Sequence, residues 1–157
     1  MVTKTYSVLL DTNILMSKTL RDWILKLALE SNYEFFTPHV SSGIMDEFGY
    51  RVRRKKPLMD DASIETWKEQ ILQSCESRIA GFQVESIADF PDKDDLHVHA
   101  AAQHGGMHAL VTNDRKLLDY ASTAQGEEVQ SYETLSADDF LMQLTEYAPT
   151  RLFAMVC

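Results

Sequence analysis

At 157 residues the chain has the length of one domain, and 45% hydrophobic with 25% charged residues is a globular composition, neither disordered nor fibrous. Lys and Arg number 15 against 24 Asp and Glu, a net charge of −9, which argues against bulk affinity for nucleic-acid phosphate unless the acids cluster around a cation. No apolar run approaches the roughly 20 residues of a membrane span, the polar start Met1–Tyr6 lacks a signal-peptide layout, and two distant cysteines, Cys75 and Cys157, point to free thiols in the reducing cytoplasm.

Tyr6–Leu10 (YSVLL) is a strand-like run ending at Asp11. Ile14–Leu29 has helical periodicity, with Ile24, Leu25, Leu27 and Ala28 on its apolar face. Glu34–Thr37 (EFFT) predicts a short strand closed by Pro38, and Val40–Lys56 a helix that stops before Pro57. Asp60 or Asp61 caps a second helix running to about Ile79, so residues 39–79 form a helical hairpin. Phe82–Ser86 (FQVES) alternates like a strand. Asp92–His104 is helical and ends at Gly105-Gly106; His108–Thr112 (HALVT) is a strand. Arg115–Ala124 is a helix, Glu128–Ser131 a weak edge strand, and Ser136–Tyr147 the final helix, capped by Ser136 with Asp139. This alternation predicts an α/β fold over residues 1–157, with helices on both faces of a parallel sheet of about four or five strands. Sites in such sheets form where the carboxyl ends of the strands meet the next helices.

Two of those junctions carry acids. The first strand ends in Asp11-Thr12-Asn13 and the fourth in Thr112-Asn113-Asp114. Each is also a good helix N-cap, but Arg115 and Lys116 have the wrong sign for a helix start, so capping explains Asp114 less well. On the helix after Val40, the apolar face of Ile44, Met45, Phe48 and Val52 leaves Asp46 in water and Glu47 at its border. Arg51 and Arg54 share the Glu47 side, and Glu47 with Arg51 is also an ordinary i,i+4 pair. Asp92-Lys93-Asp94-Asp95 opens the next helix, where acids are favoured anyway. Spacing alone does not choose between Asp94 and Asp95. Four carboxylates converging on one pocket repel, and protonation or a hard cation such as Mg²⁺ or Mn²⁺ relieves them.

V-L-L-D-T-N-I-L (Val8–Leu15), the Glu in I-M-D-E-F-G-Y-R-V-R-R (Ile44–Arg54), P-D-K-D-D-L-H-V-H-A-A-A (Pro91–Ala102) and L-V-T-N-D-R-K-L-L (Leu110–Leu118) together resemble a PIN domain. The order, the spacing and S-A-D-D-F-L (Ser136–Leu141) are most similar to the VapC-type toxins of bacterial toxin–antitoxin pairs. The resemblance implies a three-layer α/β/α fold and Mg²⁺- or Mn²⁺-dependent hydrolysis of RNA. It implies metal-binding acids at Asp11, Glu47, Asp95 and Asp114, supported by Asn13 and Thr112, with Asp94 close behind. It also implies a small antitoxin protein as partner, beside RNA and, as an open alternative, a second copy of the chain.

Other signals have plainer explanations. His97, His99, His104 and His108 invite a zinc site, but only His97 and His104 share a helix face and no Cys is near. The basic run Arg51–Lys56 is favourable charge at a helix C-terminus; its functional alternative is a grip on RNA backbone, with Arg51 and Arg54 the candidates. Trp23, Trp67, Phe82 and Phe90 suit a core, and the apolar tail Leu152–Cys157 suits packing on the domain or on a partner. Two other functions are compatible with the chain. One is a phosphatase with Asp11 as nucleophile, although Asn13 stands where that chemistry wants a second Asp. The other is a PIN-like domain that binds RNA or protein without cutting.

Overall fold

The computed structural model describes residues 5–156. The first four residues of the polar N-terminus and Cys157 lie outside the described residues. The sheet is built from β1 (Ser7–Leu10), β2 (Thr37–Ser41), β3 (Ser77–Ile79), β4 (Ala109–Val111) and β5 (Glu133–Leu135), in the spatial order β3-β2-β1-β4-β5 with every pairing parallel. All four residues of β1 are buried, so helices cover both of its faces, as a parallel sheet requires. The chain winds outward from β1 through β2 to β3. It then returns to β4 on the other side of β1 and ends at β5. Strand order therefore reverses between β1 and β4, where Leu10 pairs with Val111. A crevice opens at such a reversal, outside the carboxyl ends of the two strands.

The helices are α1 (Thr12–Met16), α2 (Lys18–Glu30), α3 (Ser42–Lys55), α4 (Asp61–Ser74), α5 (Leu96–His104), α6 (Arg115–Ala121), α7 (Ala124–Val129), α8 (Ala137–Tyr147) and α9 (Thr150–Val156). The expected single helix over Ile14–Leu29 is two. Ser17 ends α1 and caps α2, its hydroxyl accepting from the Leu20 N–H. The strand expected at Glu34–Thr37 starts only at Thr37 and contains Pro38. The Thr37 N–H donates to Tyr6 O, so the proline nitrogen faces the other side, where pairing with β3 begins only at His39.

α4 stops at Ser74, and Ile79 belongs to β3 rather than to the helix. Phe82–Ser86 forms no strand: Phe82 packs against the core, but Val84, the next residue of the alternation, is 51% exposed. The edge strand expected at Glu128–Ser131 lies at Glu133–Leu135, since Thr123 caps α7 and carries helix through Val129. Nor is the helix at Ser136–Tyr147 the last. α9 follows, packs on α2 and buries Leu152. Among the described residues no helix is long and apolar enough to cross a membrane, and Cys75 is a buried free thiol.

The core joins Val8, Leu9 and Leu10 to Ile14, Ile44, Phe48, Val98 and Leu110, all at 0–1% exposure. Burying each such side chain contributes about 1.5–3 kcal/mol. Phe36 and Phe140 meet edge to face at 5.1 Å. This packing holds the ends of β1 and β4 rigidly side by side.

Candidate functional site

Asp11 is the residue at which β1 stops being a strand. Its backbone N–H still donates to Val111 O on β4, while its carboxylate caps α1 by accepting from the Thr12 N–H at 2.8 Å. The side chain is 4% exposed. Its other oxygen accepts from the Thr112 hydroxyl at 2.8 Å and from Asn13 Nδ2 at 3.1 Å. The Thr112 hydroxyl, buried completely, accepts in turn from Asn13 Nδ2 and from the Asp114 N–H, each at 3.0 Å. Asn13 Oδ1 accepts from the Asn113 N–H at 2.9 Å. Asp-Thr-Asn on one strand end and Thr-Asn-Asp on the other are therefore laced into one network across the β1–β4 reversal.

Glu47 approaches this network from α3. It is part-buried while Asp46 is exposed, the arrangement that the helical angles predict. Its Oε2 accepts from the Thr12 hydroxyl at 2.8 Å, and its Oε1 from Arg51 Nη2 at 2.7 Å. Asp95 comes from a 3-10 turn, Lys93–Asp95, that precedes α5. Asp92 caps that turn by accepting from the Asp94 N–H; Asp94 is exposed, and Asp95 is half-buried with no backbone N–H to cap. Asp114 caps α6 through the Lys116 N–H.

Electrostatics ties these acids together. Desolvation pushes the Asp95 carboxyl up to about 7, and the charges of Asp11, Asp92, Asp114 and Glu47 push the same way. Asp11 is also raised, by burial first, with Glu47 and Asp114 adding to it; the bonds from Thr112 and Thr12 oppose the rise. Asp11, Glu47, Asp95 and Asp114 thus lie within one another's field, with Asn13 and Thr112 between them. Asp94 is exposed to water. Among the described residues no three His, Cys, Asp or Glu side chains are drawn onto one point tightly enough to hold an ion as they stand. The donor set is nonetheless all hard oxygen, and an acid kept protonated by its neighbours is what a divalent cation would discharge.

The four histidines do not gather. His99 bonds the Tyr132 hydroxyl at 2.7 Å and is held neutral by burial, His104 is exposed beside Phe82, and His108 bonds Ser7. His97 alone reaches the acids, its Nε2 3.8 Å from Glu47. Among the described residues its buried Nδ1 has no hydrogen-bond partner, and it sits where a Cβ on Gly43 would stand 2.8 Å away. Arg51 and Arg54 line a cleft of about 790 Å³ that opens beside Asn13 and also holds Lys55.

The acid motifs did not signal Thr12, Asn113, Gly43 or Asp92. Asn113 Oδ1 accepts from the Ala137 N–H and so ties α8 to the site. A glycine inside an otherwise regular helix, as in Ser42-Gly43-Ile44, is the signal that something packs close. Asp92 caps the turn and adds to the repulsion on Asp95.

Known structures give the same fold. PAE2754 from Pyrobaculum aerophilum superposes with a TM-score of 0.57 at 15% identity, covering 90% of each chain. VapBC2 from Rickettsia felis, solved bound to a DNA fragment from their promoter, gives 0.50 at 15% identity, covering 83% of this chain and 98% of that one. At such identity both likenesses speak to the fold alone. No curated protein sequence matches the chain significantly. A family model for the PIN domain matches residues 7–116. That match runs from β1 into the first turn of α6 and crosses all four clustered acids, so the chain belongs to the PIN-domain family, whose members are generally nucleases that use divalent metals.

Proposed function

We propose that the protein is a Mg²⁺- or Mn²⁺-dependent endoribonuclease that hydrolyses RNA phosphodiester bonds in the cytoplasm, and that it is the toxin of a toxin–antitoxin pair. The observation that carries this reading is the convergence of Asp11, Glu47, Asp95 and Asp114 on one half-buried site: burial first, and then the charges of its neighbours, raise the Asp95 carboxyl to about 7, which invites a cation. These four would hold the ion. Bound there, a divalent cation supplies Lewis-acid stabilisation of phosphate charge and eases deprotonation of the attacking water.

The chain's own residues do the rest. Asn13 and Thr112 fix both the position and the charge of Asp11. Arg51 and Arg54 take backbone phosphates on either side of the scissile bond, drawing an anionic strand toward an acidic site. Both Asp11 oxygens are engaged by donors, which disfavours an aspartyl-phosphate mechanism. A binder without chemistry gains nothing from an acid set that repels itself.

The Rickettsia felis neighbour is a VapBC pair, and an antitoxin for this chain would meet an acidic pocket. An Arg from such a partner would pair with the carboxylates in the cation's place, amid apolar anchors in grooves between helices. The test is incubation of partner-free protein with RNA, with Mg²⁺ and with EDTA. Cleavage that needs the metal and is lost in Asp11→Asn and Asp95→Asn, with Asp94→Asn still active, supports the reading. Wild-type cleavage by Asp95→Asn would overturn the site assignment, and an aspartyl-phosphate would overturn the reaction.

A further inference from the structure

Met16 and Lys55 line two clefts at once, so the two are contiguous. The first is the one beside Asn13, with Arg51, Arg54 and Lys55 and no acid in its lining. The second, about 540 Å³, lies between α2, α3 and α4. Leu25, Phe48, Val52, Trp67 and Ile71 supply its apolar lining, and Lys18, Arg21, Lys26, Lys55 and Lys56 its cations. Its one acid, Asp22, is already paired with Lys18 at 2.9 Å. Seven of the chain's fifteen Lys and Arg thus face two joined clefts in a protein of net charge −9. At Trp67 the Lys56 ammonium stands 5.4 Å from the ring centroid, and the Arg21 guanidinium 5.7 Å from it.

We propose that the second groove is a subsite for single-stranded nucleic acid. It holds the segment that flanks the bond addressed by the acid cluster, with Lys26, Lys55 and Lys56 on phosphates and a base against the apolar wall at Trp67. The proposal rests on the nuclease reading for where the strand comes from. Charge complementarity argues for a polyanion. Continuity argues for a strand: Asn13, which touches Asp11, lines the first cleft with Arg51, Arg54 and Lys55, and that cleft joins the second at Met16 and Lys55. The apolar wall argues for bases, because a site for phosphate alone has no use for Trp67. An acidic amphipathic helix would satisfy the groove but would leave the cations beside Asn13 without a role. α3 rises about 1.5 Å per residue, which puts Lys56 roughly 13 Å along the axis from Glu47. A strand must therefore run several nucleotides past the acids to reach the groove.

The test uses the full chain in EDTA with labelled oligouridylates of about 4 and 12 nucleotides, read by fluorescence anisotropy and by tryptophan emission. The longer strand is expected to bind roughly tenfold tighter, in the range of one stacked base. It should quench tryptophan emission in the wild type and less in Trp67→Leu. Lys26→Ala with Lys56→Ala, both on exposed positions, should lower affinity for the longer strand about tenfold and reduce the log–log salt slope by about 1.4. Arg78→Ala, on the edge strand β3, should leave it unchanged. Equal affinity for the two lengths, or a double variant that binds like wild type, overturns the subsite. So does quenching of Trp67 by an acidic amphipathic peptide and not by the longer strand. Length-dependent binding without Mg²⁺-dependent cleavage would refute the nuclease and leave the subsite standing. Cleavage without length dependence would do the reverse.

Discussion

Asp95→Asn should stabilise the metal-free protein at neutral pH while removing its activity. The unfolded chain ionises Asp95 near 3.8, and the fold delays this to about 7. Well below pH 3.8 both states hold the proton and the group contributes nothing; at pH 4 its effect has only begun. Between the two values the unfolded chain has lost its proton and the folded one has not, so stability falls as pH rises; above about pH 8 the loss is constant. The full interval would correspond to ~4 kcal/mol for a fully buried group. Asp95 is only half-buried and partly screened by water, which reduces the figure to about 1–2 kcal/mol. The carboxylate caps no backbone N–H, so the amide forfeits nothing there. Asp11→Asn lacks that advantage, because both Asp11 oxygens accept hydrogen bonds and an amide nitrogen would face a donor. Thermal melts in EDTA from pH 4 to 8 measure the effect. Wild type and Asp95→Asn should melt nearly together at pH 4, and the variant about 2–8 °C higher at pH 8. Mg²⁺ should raise the wild-type midpoint more than the variant's. A gap that does not change with pH, or a variant less stable at pH 8, would refute the account of Asp95.

Glu47→Gln should lower RNA cleavage by about 100-fold or more, and Asp46→Asn should leave it within about twofold, because only Glu47 faces the acids. Thr112→Val removes a buried hydroxyl that serves Asp11, Asn13 and the Asp114 N–H; it should cost about 1–3 kcal/mol in urea denaturation, with Thr112→Ser recovering most of it. Gly43→Ala drives a Cβ into His97 and should cost about 1–2 kcal/mol, less than the bare overpacking because Ala favours helix. Adding His97→Ala to that variant should restore stability, and failure to do so would place the strain elsewhere.

What was legible in the sequence was whatever one strand end or one helix face carries locally. Asp11 and Asp114 announced themselves as acids at strand ends, and the 3.6-residue period separated Asp46 from Glu47 correctly. Edge strands were not legible. β3 shows exposed Ser77 and Arg78 with only Ile79 buried, so it has no apolar run to detect. Phe82–Ser86 had the alternation of a strand and no sheet to join. Pro38 misled for the opposite reason, since a proline is tolerated inside β2 where its nitrogen faces no partner. Asp94 and Asp95 lay equally well on the helix by angle. A short 3-10 turn capped by Asp92 changes that geometry, leaving Asp94 in water and turning Asp95 toward the other acids.

Glu47 and Arg51 are both an ordinary i,i+4 pair and the boundary between the acid cluster and the basic clefts. As a helix pair with side chains 26% and 45% exposed it contributes only a few tenths of a kcal/mol. Its position matters more than its energy. The guanidinium is the cation beside the acids and also lines the cleft next to Asn13. Removing it with Arg51→Ala should therefore act with opposite sign on the two kinds of ligand. A divalent cation entering the cluster loses a repulsive neighbour, and an RNA strand loses an attractive one. At a separation of about 6–8 Å and an effective dielectric between protein and water, each effect is on the order of 1 kcal/mol, a severalfold change in affinity. Mg²⁺ affinity should rise, read from the metal-induced shift in melting midpoint. Oligonucleotide affinity in EDTA should fall, read by anisotropy. Arg51→Lys keeps the charge and loses the fork, so it should restore the metal value nearly in full and the RNA value only in part. If Arg51→Ala moved both affinities in the same direction, the guanidinium would be acting through the fold and not through its charge.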